Sequence, residues 1–216
     1  MKLYSYFRSS AAYRVRIALG LKGIAHEIVP IHLLRGGADG GPRVRDPDYR
    51  ALNPQARVPT LVLDDGTVLT QSQAILEWLE ETYPAPALLP ADRVARAKCR
   101  AIAAIPCADI QPLQNTLTGE RLKSQFGATP GQIGEWTVYF VARGLDAMET
   151  LLPTPAPFAF GDTPSFADVC LVPQLVSARR YGLDLVAFPK TLAIEAAMMA
   201  LPAVQAARPE AQPDAE

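Results

Sequence analysis

The stretch MKLYSYFRSSAAYRVRIALGLKG, residues 1–23, decides the fold, because it runs from a strand through two serines into a helix. Residues 2–6 are predicted to form a strand. Residues 11–21 are predicted to form an amphipathic helix that ends at Lys22-Gly23. A strand, a hairpin and a helix are predicted to follow, at residues 26–31, 60–69 and 73–83. The order βαβ, then a connecting segment, then ββα predicts a compact α/β domain.

After this domain the sequence becomes helical. Four helices are predicted, at residues 92–117, 130–151, 166–181 and 191–200. The predicted organisation is therefore an α/β domain at 1–84, a stiff linker at 85–90, an all-helical domain at 91–207 and a disordered tail at 208–216. Inside the first domain, the Gly- and Arg-rich loop 34–48 is long enough to indicate either mobility or a role in a site.

Composition excludes several classes of function. The 216 residues carry a formal net charge of -1, which gives no reason to expect nucleic acid or an anionic membrane as a partner. We expect a cytoplasmic protein, since no cationic apolar leader and no membrane-length apolar run is present. Cys99, Cys107 and Cys170 are too widely spaced for a disulfide framework or a metal site and are predicted to be small buried hydrophobic residues. His26 and His32 are expected to be structural or exposed.

Ser9 and Ser10 lie where the first helix begins. A serine at this position is a good N-cap, which alone would explain one of the two. The alternative is chemical: a helix N-terminus stabilises anions, and a hydroxyl beside a bound thiol would favour the thiolate. No acid or base is spaced for a catalytic triad, so an enzyme of this sequence would use an imported nucleophile.

Two further pairs precede and follow the predicted hairpin. Val58-Pro59 either marks the start of a strand or, with a cis peptide bond, presents the Val58 backbone to an extended peptide ligand. Gln71-Ser72 either caps the next helix or forms a carboxylate site at its N-terminus. Each pair has an ordinary explanation, and the three in this order favour a common site.

These motifs, together with others along the chain, resemble the glutathione transferases, and within them the zeta class of maleylacetoacetate and maleylpyruvate isomerases. The matching stretches are Ser9–Leu19, Asn53-Pro54, Val58-Pro59, Gln71-Ser72, Gln111–Asn115, Gly161–Asp168 and Leu171–Gln174. The resemblance implies a thioredoxin-like glutathione-binding domain followed by an all-α domain, a homodimer, and glutathione as cofactor. It also implies a function, glutathione-dependent cis–trans isomerisation of maleylacetoacetate-type enediacids in aromatic catabolism, by thiol addition, rotation and elimination.

The resemblance also implies site residues. Ser9 and Ser10 would serve the glutathione sulfur, Val58 with Pro59 its cysteinyl backbone, and Gln71 with Ser72 its γ-glutamyl end. Gln111 and Asn115 would contact glutathione or line the substrate pocket. Arg8 and Arg179, the latter preferred to Arg180, are the candidates for the substrate carboxylates, while Arg14 and Arg16 are expected on the helix surface or between domains. Ser165 and Asp168 are expected to form a structural capping box.

Departures from the family pattern leave alternatives open. Ala11 stands where the zeta motif has a cysteine, although the thiol of the proposed reaction belongs to glutathione. Thr116-Leu117 replaces an arginine pair associated with maleylpyruvate, which favours the maleylacetoacetate branch. The alternatives are a maleylpyruvate isomerase, a general transferase acting on α-haloacids and other electrophiles, and a glutathione-fold binding module without activity. Whether the Gly36–Pro42 loop closes over the site is left open.

Overall fold

A computed structural model describes residues 1–154 and 156–216 and divides them into two compact units. The first unit contains residues 1–86 together with 200–216, and the second contains residues 87–199. The change between units falls within the predicted linker region. The residues from Ala200 onward group with the first unit, whereas the predicted helical domain extended to residue 207.

The first unit is built on a mixed four-stranded sheet in the order β2-β1-β3-β4. Its strands are β1 (Lys2–Ser5), β2 (Glu27–Pro30), β3 (Thr60–Val62) and β4 (Val68–Thr70). Strand β1 is parallel to β2 and antiparallel to β3, and β3 is antiparallel to β4. This is the βαβ–ββα arrangement predicted from the sequence.

The helices of the first unit include two that were predicted and two that were not. They are α1 (Ser10–Leu21), α2 (Pro47–Leu52), α3 (Ser72–Thr82) and α10 (Pro202–Ala207), the last numbered by its place in the chain. Helices α2 and α10 were missed because each has six residues, too few for helical periodicity to be recognised. Proline at the start of each supplies a helix-compatible φ angle without the loss of a needed N–H donor.

Helix α1 is buried on nearly all sides, which corrects the expectation for its two arginines. Arg14 and Arg16 are 1% and 3% exposed and lie inside the first unit. Helix α10 packs closely on α1, where a side chain at Gly20 would stand 3.2 Å from the Ala203 carbonyl oxygen. Burial on this scale requires that the guanidinium groups find polar partners, and those partners lie beside the candidate site.

The predicted disordered tail is also wrong. Residues Pro209–Ala211 form a 3-10 turn, and the Gln212 side chain donates to the carbonyls of Ala206 and Arg208 at 3.0 and 2.9 Å. The Asp214 carboxylate accepts a hydrogen bond from the Phe7 amide at 3.0 Å. The segment is ordered because its few polar side chains satisfy backbone groups, which a compositional reading of prolines and acidic residues does not detect.

The second unit is helical. Its α-helices are α4 (Arg93–Ala104), α5 (Gln111–Gln114), α6 (Thr116–Phe126), α7 (Pro130–Leu151), α8 (Phe166–Arg180) and α9 (Pro189–Met199), with a π-helical segment at Ile105–Ile110 between α4 and α5. One helix was expected over residues 92–117. It is interrupted because Pro106 and Pro112 lack N–H donors and because Asn115, with ψ 147°, is extended.

The predicted capping box at the start of α8 is confirmed. Asp168 Oδ2 accepts hydrogen bonds from the Ser165 amide at 2.7 Å and from its hydroxyl at 2.6 Å. Asp168 Oδ1 accepts from the Ala159 amide at 2.8 Å, and burial raises the pKa of this carboxyl. The pair is structural, as predicted.

The cysteines behave largely as expected. Cys99 and Cys170 are fully buried, while Cys107 is partly exposed, with its sulfur 3.6 Å from that of Cys170. Across residues 1–154 and 156–216, no helix has the length and apolar character needed to cross a membrane.

Candidate functional site

Three of the predicted segments meet at one edge of the sheet. Tyr4 of β1 pairs with Thr60 of β3, and Thr60 pairs with Thr70 of β4. Because β3 runs antiparallel to both neighbours, its start lies beside the ends of β1 and β4. The edge therefore carries the residues that follow β1, precede β3 and follow β4: Ser9-Ser10, Val58-Pro59 and Gln71-Ser72. Helices α1 and α3 both begin there.

Ser9 is the N-cap of α1. Its Oγ accepts a hydrogen bond from the Ala12 amide at 3.2 Å, and its carbonyl accepts from the Tyr13 amide at 2.9 Å. The cap uses the hydroxyl as an acceptor, so the O–H hydrogen remains available to donate. The amides of Ser10 and Ala11 make no hydrogen bond to the described part of the protein. The start of α1 thus combines unused donors with the positive end of a helix dipole.

Gln71 and Ser72 build the start of α3. Gln71 has φ 68° and ψ 117°, an unfavourable conformation for a residue other than glycine. The amides of Ser72, Gln73 and Ala74 have no protein acceptor among the described residues, and the Ser72 Oγ accepts from Arg14 at 3.2 Å. A second set of first-turn donors, backed by a buried cation, is therefore available at this edge.

The Gln71 side chain is held in place by its neighbour across the edge. Its Nε2 donates to Gln55 Oε1 at 2.6 Å. Gln71 is exposed, so this amide pair stands at the surface of the first unit rather than in its core.

Val58 supplies backbone groups between the two helix starts. The Val58-Pro59 peptide bond is cis, as the family resemblance implied. Within residues 1–154 and 156–216, the N–H and C=O of Val58 make no hydrogen bond. Although the residue is only 8% exposed, the backbone of Val58 keeps one donor, its N–H, and one acceptor, its C=O, for an extended ligand.

A buried polar network shapes the loop that presents Val58. Asn53 Nδ2 donates to the Arg57 carbonyl at 2.8 Å and to Thr60 Oγ1 at 3.1 Å. The Tyr49 hydroxyl donates to the same carbonyl at 2.6 Å and lies 3.0 Å from Thr60 Oγ1. Burial raises the pKa of Tyr49 to about 12. Sequence reasoning singled out Asn53-Pro54 but missed Tyr49, whose helix was not predicted.

The glycine-rich loop is folded back on itself. Gly36 and Pro42 form an isolated bridge, and Asp46 accepts from the Ala38 amide through both carboxylate oxygens at 3.2 Å. Arg43 pairs with Asp46 at 2.9 Å and with Asp48 at 2.5 Å, and hydrogen bonding from Arg43 lowers the pKa of Asp48 to about 2. The loop thus has its own internal contacts.

The second unit carries four residues considered for the site, namely Gln111, Asn115, Arg179 and Arg180. Asn115 caps α6, since its Oδ1 accepts from the Leu117 amide at 3.0 Å, and Gln111 begins α5. The guanidinium of Arg179 forms a two-point ion pair with Glu195, whose hydrogen bonds raise the pKa of the arginine. Arg180 lies over the ring of Tyr181, 5.3 Å from its centroid.

Arg8 belongs to the first unit and stands directly before Ser9. It is exposed, and its guanidinium carbon lies 4.9 Å from the centroid of the Phe7 ring. Among the described residues, no group of three or more His, Cys, Asp and Glu side chains is placed to hold a metal ion.

Comparison with known proteins finds two family domains in the chain, one near its start and one in its second half. The glutathione S-transferase N-terminal domain matches residues 3–87, and the glutathione S-transferase C-terminal domain matches residues 141–207. Maleylacetoacetate isomerase from Pseudomonas aeruginosa is 47% identical over 214 residues, which are 99% of this chain and 98% of that protein.

Two solved structures extend the comparison. The holo structure of a maleylpyruvate isomerase, a bacterial glutathione S-transferase of the zeta class, superposes with a TM-score of 0.93 at 45% identity and covers 100% of both chains. Maleylacetoacetate isomerase from Anaeromyxobacter dehalogenans 2CP-1, with glutathione bound in its active site, gives a TM-score of 0.86 at 43% identity. That match covers 100% of this chain and 97% of the other.

Proposed function

Because the chain belongs to the glutathione S-transferase family, in its zeta class, we propose that it is a glutathione-dependent cis–trans isomerase of maleylacetoacetate-type enediacids. The observation that carries the proposal is the sheet edge with unused hydrogen-bonding groups at three places. Their order matches three groups of glutathione, namely the cysteinyl thiol, the cysteinyl backbone and the α-carboxylate of the γ-glutamyl residue.

The fit to glutathione follows from the donor set. The amides of Ser72, Gln73 and Ala74 and the helix dipole suit a carboxylate. The N–H and C=O of Val58 can pair with the backbone of a cysteinyl residue, in the way that neighbouring strands of a sheet pair. At the start of α1 the Ser9 hydroxyl and the amides of Ser10 and Ala11 suit a sulfur anion. We therefore assign glutathione to this edge.

When bound, glutathione supplies the thiol nucleophile that adds to the substrate double bond and later leaves, so that rotation takes place about a single bond. The protein contributes the environment of that sulfur. The Ser9 O–H donates to it, and the positive end of α1 lowers the pKa of the thiol. Ala11 carries no reactive group, so the protein itself adds no competing nucleophile at this position.

The substrate carboxylates need cations, and Arg8 and Arg179 are our candidates. Arg179 already holds Glu195 at two points, so a substrate carboxylate would have to displace that partner. Arg180, one residue further on, is the alternative. Kinetics of Arg8→Ala, Arg179→Ala and Arg180→Ala distinguish them, because loss of a carboxylate contact raises the KM for the diacid.

The test of the proposed function is a glutathione-dependent assay with maleylacetoacetate and maleylpyruvate side by side. We expect both substrates to be isomerised only when glutathione is present, with preference for maleylacetoacetate. Preference for maleylpyruvate would assign the chain to the other activity of its relatives. Glutathione consumed stoichiometrically as a conjugate would indicate a transferase. Glutathione binding without turnover of either substrate would indicate a binding module.

Assembly and location complete the proposal. On family membership we propose a homodimer in the cytoplasm. Light scattering coupled to gel filtration measures the mass directly, and a species of 23.3 kDa, the mass of one chain, would contradict the dimer.

A further inference from the structure

The turn that leads from β1 to Ser9 is held by two charged side chains from outside it. Arg16 of α1 donates to the carbonyls of Tyr6 at 3.4 Å and Phe7 at 3.1 Å. Asp214 accepts from the Phe7 amide at 3.0 Å. The Tyr6 carbonyl also accepts from the Ser9 amide at 2.9 Å, so the group that Arg16 binds is itself bonded to Ser9.

These two side chains tie the last part of the chain to the turn. Arg16 Nε donates to the Ala207 carbonyl at the end of α10, 3.0 Å away. The segment after α10 then returns Asp214 to the same turn, from which it is 207 residues distant in sequence. Burial lowers the pKa of Arg16 to about 10, and the charge of Asp214 opposes that shift. Opposite charges therefore act on the N–H and the C=O of a single residue, Phe7.

The second carboxylate oxygen of Asp214 indicates why this position carries a negative charge. Oδ1 is buried and finds no hydrogen-bond partner among the described residues. A buried carboxylate oxygen without a partner is costly, so a neutral acceptor would serve better if only the Phe7 hydrogen bond mattered. The negative charge instead acts on the buried guanidinium of Arg16, whose pKa it raises against the effect of burial.

We propose that Asp214 is a positioning residue for Ser9: with Arg16 it fixes the Tyr6–Arg8 turn, and so sets where the Ser9 hydroxyl stands relative to the glutathione sulfur. The inference rests on the proposed function, because it concerns the same sulfur site. It adds that an ordered segment at the far end of the sequence belongs to that site's supporting structure.

A neighbouring contact supports the same placement. Glu216 forms an ion pair with Arg35 and a hydrogen bond with His32 Nε2, the latter at 3.3 Å, at the start of the glycine-rich loop. The segment therefore reaches two loops of the first unit within three residues. Glu216 is exposed and its pairs are screened by solvent, so we assign the positioning role to Asp214.

The experiment compares Asp214→Ala and Asp214→Asn with the control Glu210→Ala in the full chain. Glu210 lies in the same segment, but its side chain is 67% exposed, and the ion pair it makes is with Arg208 at the surface. Four quantities are measured for each protein: the pKa of bound glutathione from thiolate absorbance, kcat, the KM for glutathione, and the urea midpoint. Asparagine keeps the shape of the side chain, so Asp214→Asn serves if Asp214→Ala fails to fold.

We expect the Asp214 variants to raise the pKa of the bound thiol and to lower kcat by about tenfold, with glutathione still bound and Glu210→Ala unchanged. A lower urea midpoint with an unchanged thiol pKa and kcat would reduce Asp214 to a stabilising residue and overturn the inference. Failure of the proposed function appears differently, as absence of glutathione binding in the unaltered protein.

Discussion

The Arg14 guanidinium in α1 donates a hydrogen bond to the Ser72 hydroxyl at the start of α3, across 3.2 Å and 58 residues of sequence. Arg14 is 1% exposed and Ser72 is 6% exposed, so the contact is made in the interior of the first unit. Through it, the helix that carries the proposed sulfur site also orients the hydroxyl proposed for the ligand carboxylate. A direct hydrogen bond between α1 and α3 therefore links the two ends of the proposed glutathione site.

Ser72→Ala should weaken glutathione binding more than it lowers kcat. The change removes the hydroxyl at the carboxylate end and one acceptor of a buried guanidinium, while the sulfur end at Ser9 is unaltered. We expect the Kd for glutathione to rise about tenfold, as for loss of a hydrogen bond to a charged group. Titration calorimetry measures it, and Gln73→Ala is the matched control, because it changes an exposed side chain and keeps the backbone amide. Equal Kd values for glutathione in the two variants would mean that the Ser72 hydroxyl does not contribute to binding.

Ser9→Ala should have two separable effects. Loss of the cap to the Ala12 amide should cost about 1 kcal/mol of stability, measured by urea unfolding. Loss of the hydroxyl at the sulfur should lower kcat while glutathione binding is kept. Ser10→Ala is the control for the loss of stability, since Ser10 is the first residue of the helix and not its cap, and its kcat tests the second serine of the proposed sulfur site. If turnover is unaffected in Ser9→Ala, Ser9 has only the structural role.

Tyr49 links stability to pH through the loop that presents Val58. Its pKa is about 12 in the folded protein, above the ordinary value of about 10. Because the folded state holds this proton more tightly, its contribution is complete below pH 10 and is lost as the pH rises towards 12.

Tyr49→Phe should therefore be less stable at neutral pH by about 1 kcal/mol, for the lost hydrogen bond to the Arg57 carbonyl. The difference between the two proteins should shrink between pH 10 and 12. Urea unfolding at matched pH values measures it, and the titration of Arg16 is common to both proteins and cancels. Parallel stability curves across this range would contradict the assignment of the raised pKa.

How far the sequence could predict this protein depended on the length of the pattern. The strands and the long helices α1, α3, α7, α8 and α9 carry enough periodicity or enough boundary residues to be recognised. The capping box at Ser165 and Asp168 is a local rule and was predicted from its spacing. Helices α2 and α10 have six residues each, which is too few for a helical pattern to be recognised.

The candidate site shows the same division. The positions of Ser9, Val58 and Ser72 followed from family motifs and from the geometry of helix starts. Their supporting residues did not, because Arg14, Arg16, Tyr49 and Asp214 act through contacts between distant parts of the chain. An arginine in an amphipathic helix normally lies at the surface, and only tertiary packing shows that two arginines of α1 are buried.

Gly144 in α7 permits a close approach to the π-helical segment that precedes Gln111. A Cβ atom at this position would lie 2.3 Å from Cδ1 and 2.4 Å from Cγ1 of Ile110, which is 1% exposed and has no room to move aside. Gly144→Ala should thus destabilise the protein by about 1–3 kcal/mol through overpacking, although alanine is the better helix former.

Gly134 in the same helix is the matched control for Gly144, since nothing lies within 4 Å of a Cβ atom there. Gly134→Ala should leave stability unchanged or raise it by up to about 1 kcal/mol, because only helix propensity changes. Ile110→Ala removes the two atoms that clash, so in that background Gly144→Ala should cost much less than it does alone. Urea unfolding of the unaltered protein, of Gly144→Ala and Ile110→Ala, and of the double variant gives the coupling free energy between positions 110 and 144. A coupling near zero would mean that Gly144 is not needed for this contact.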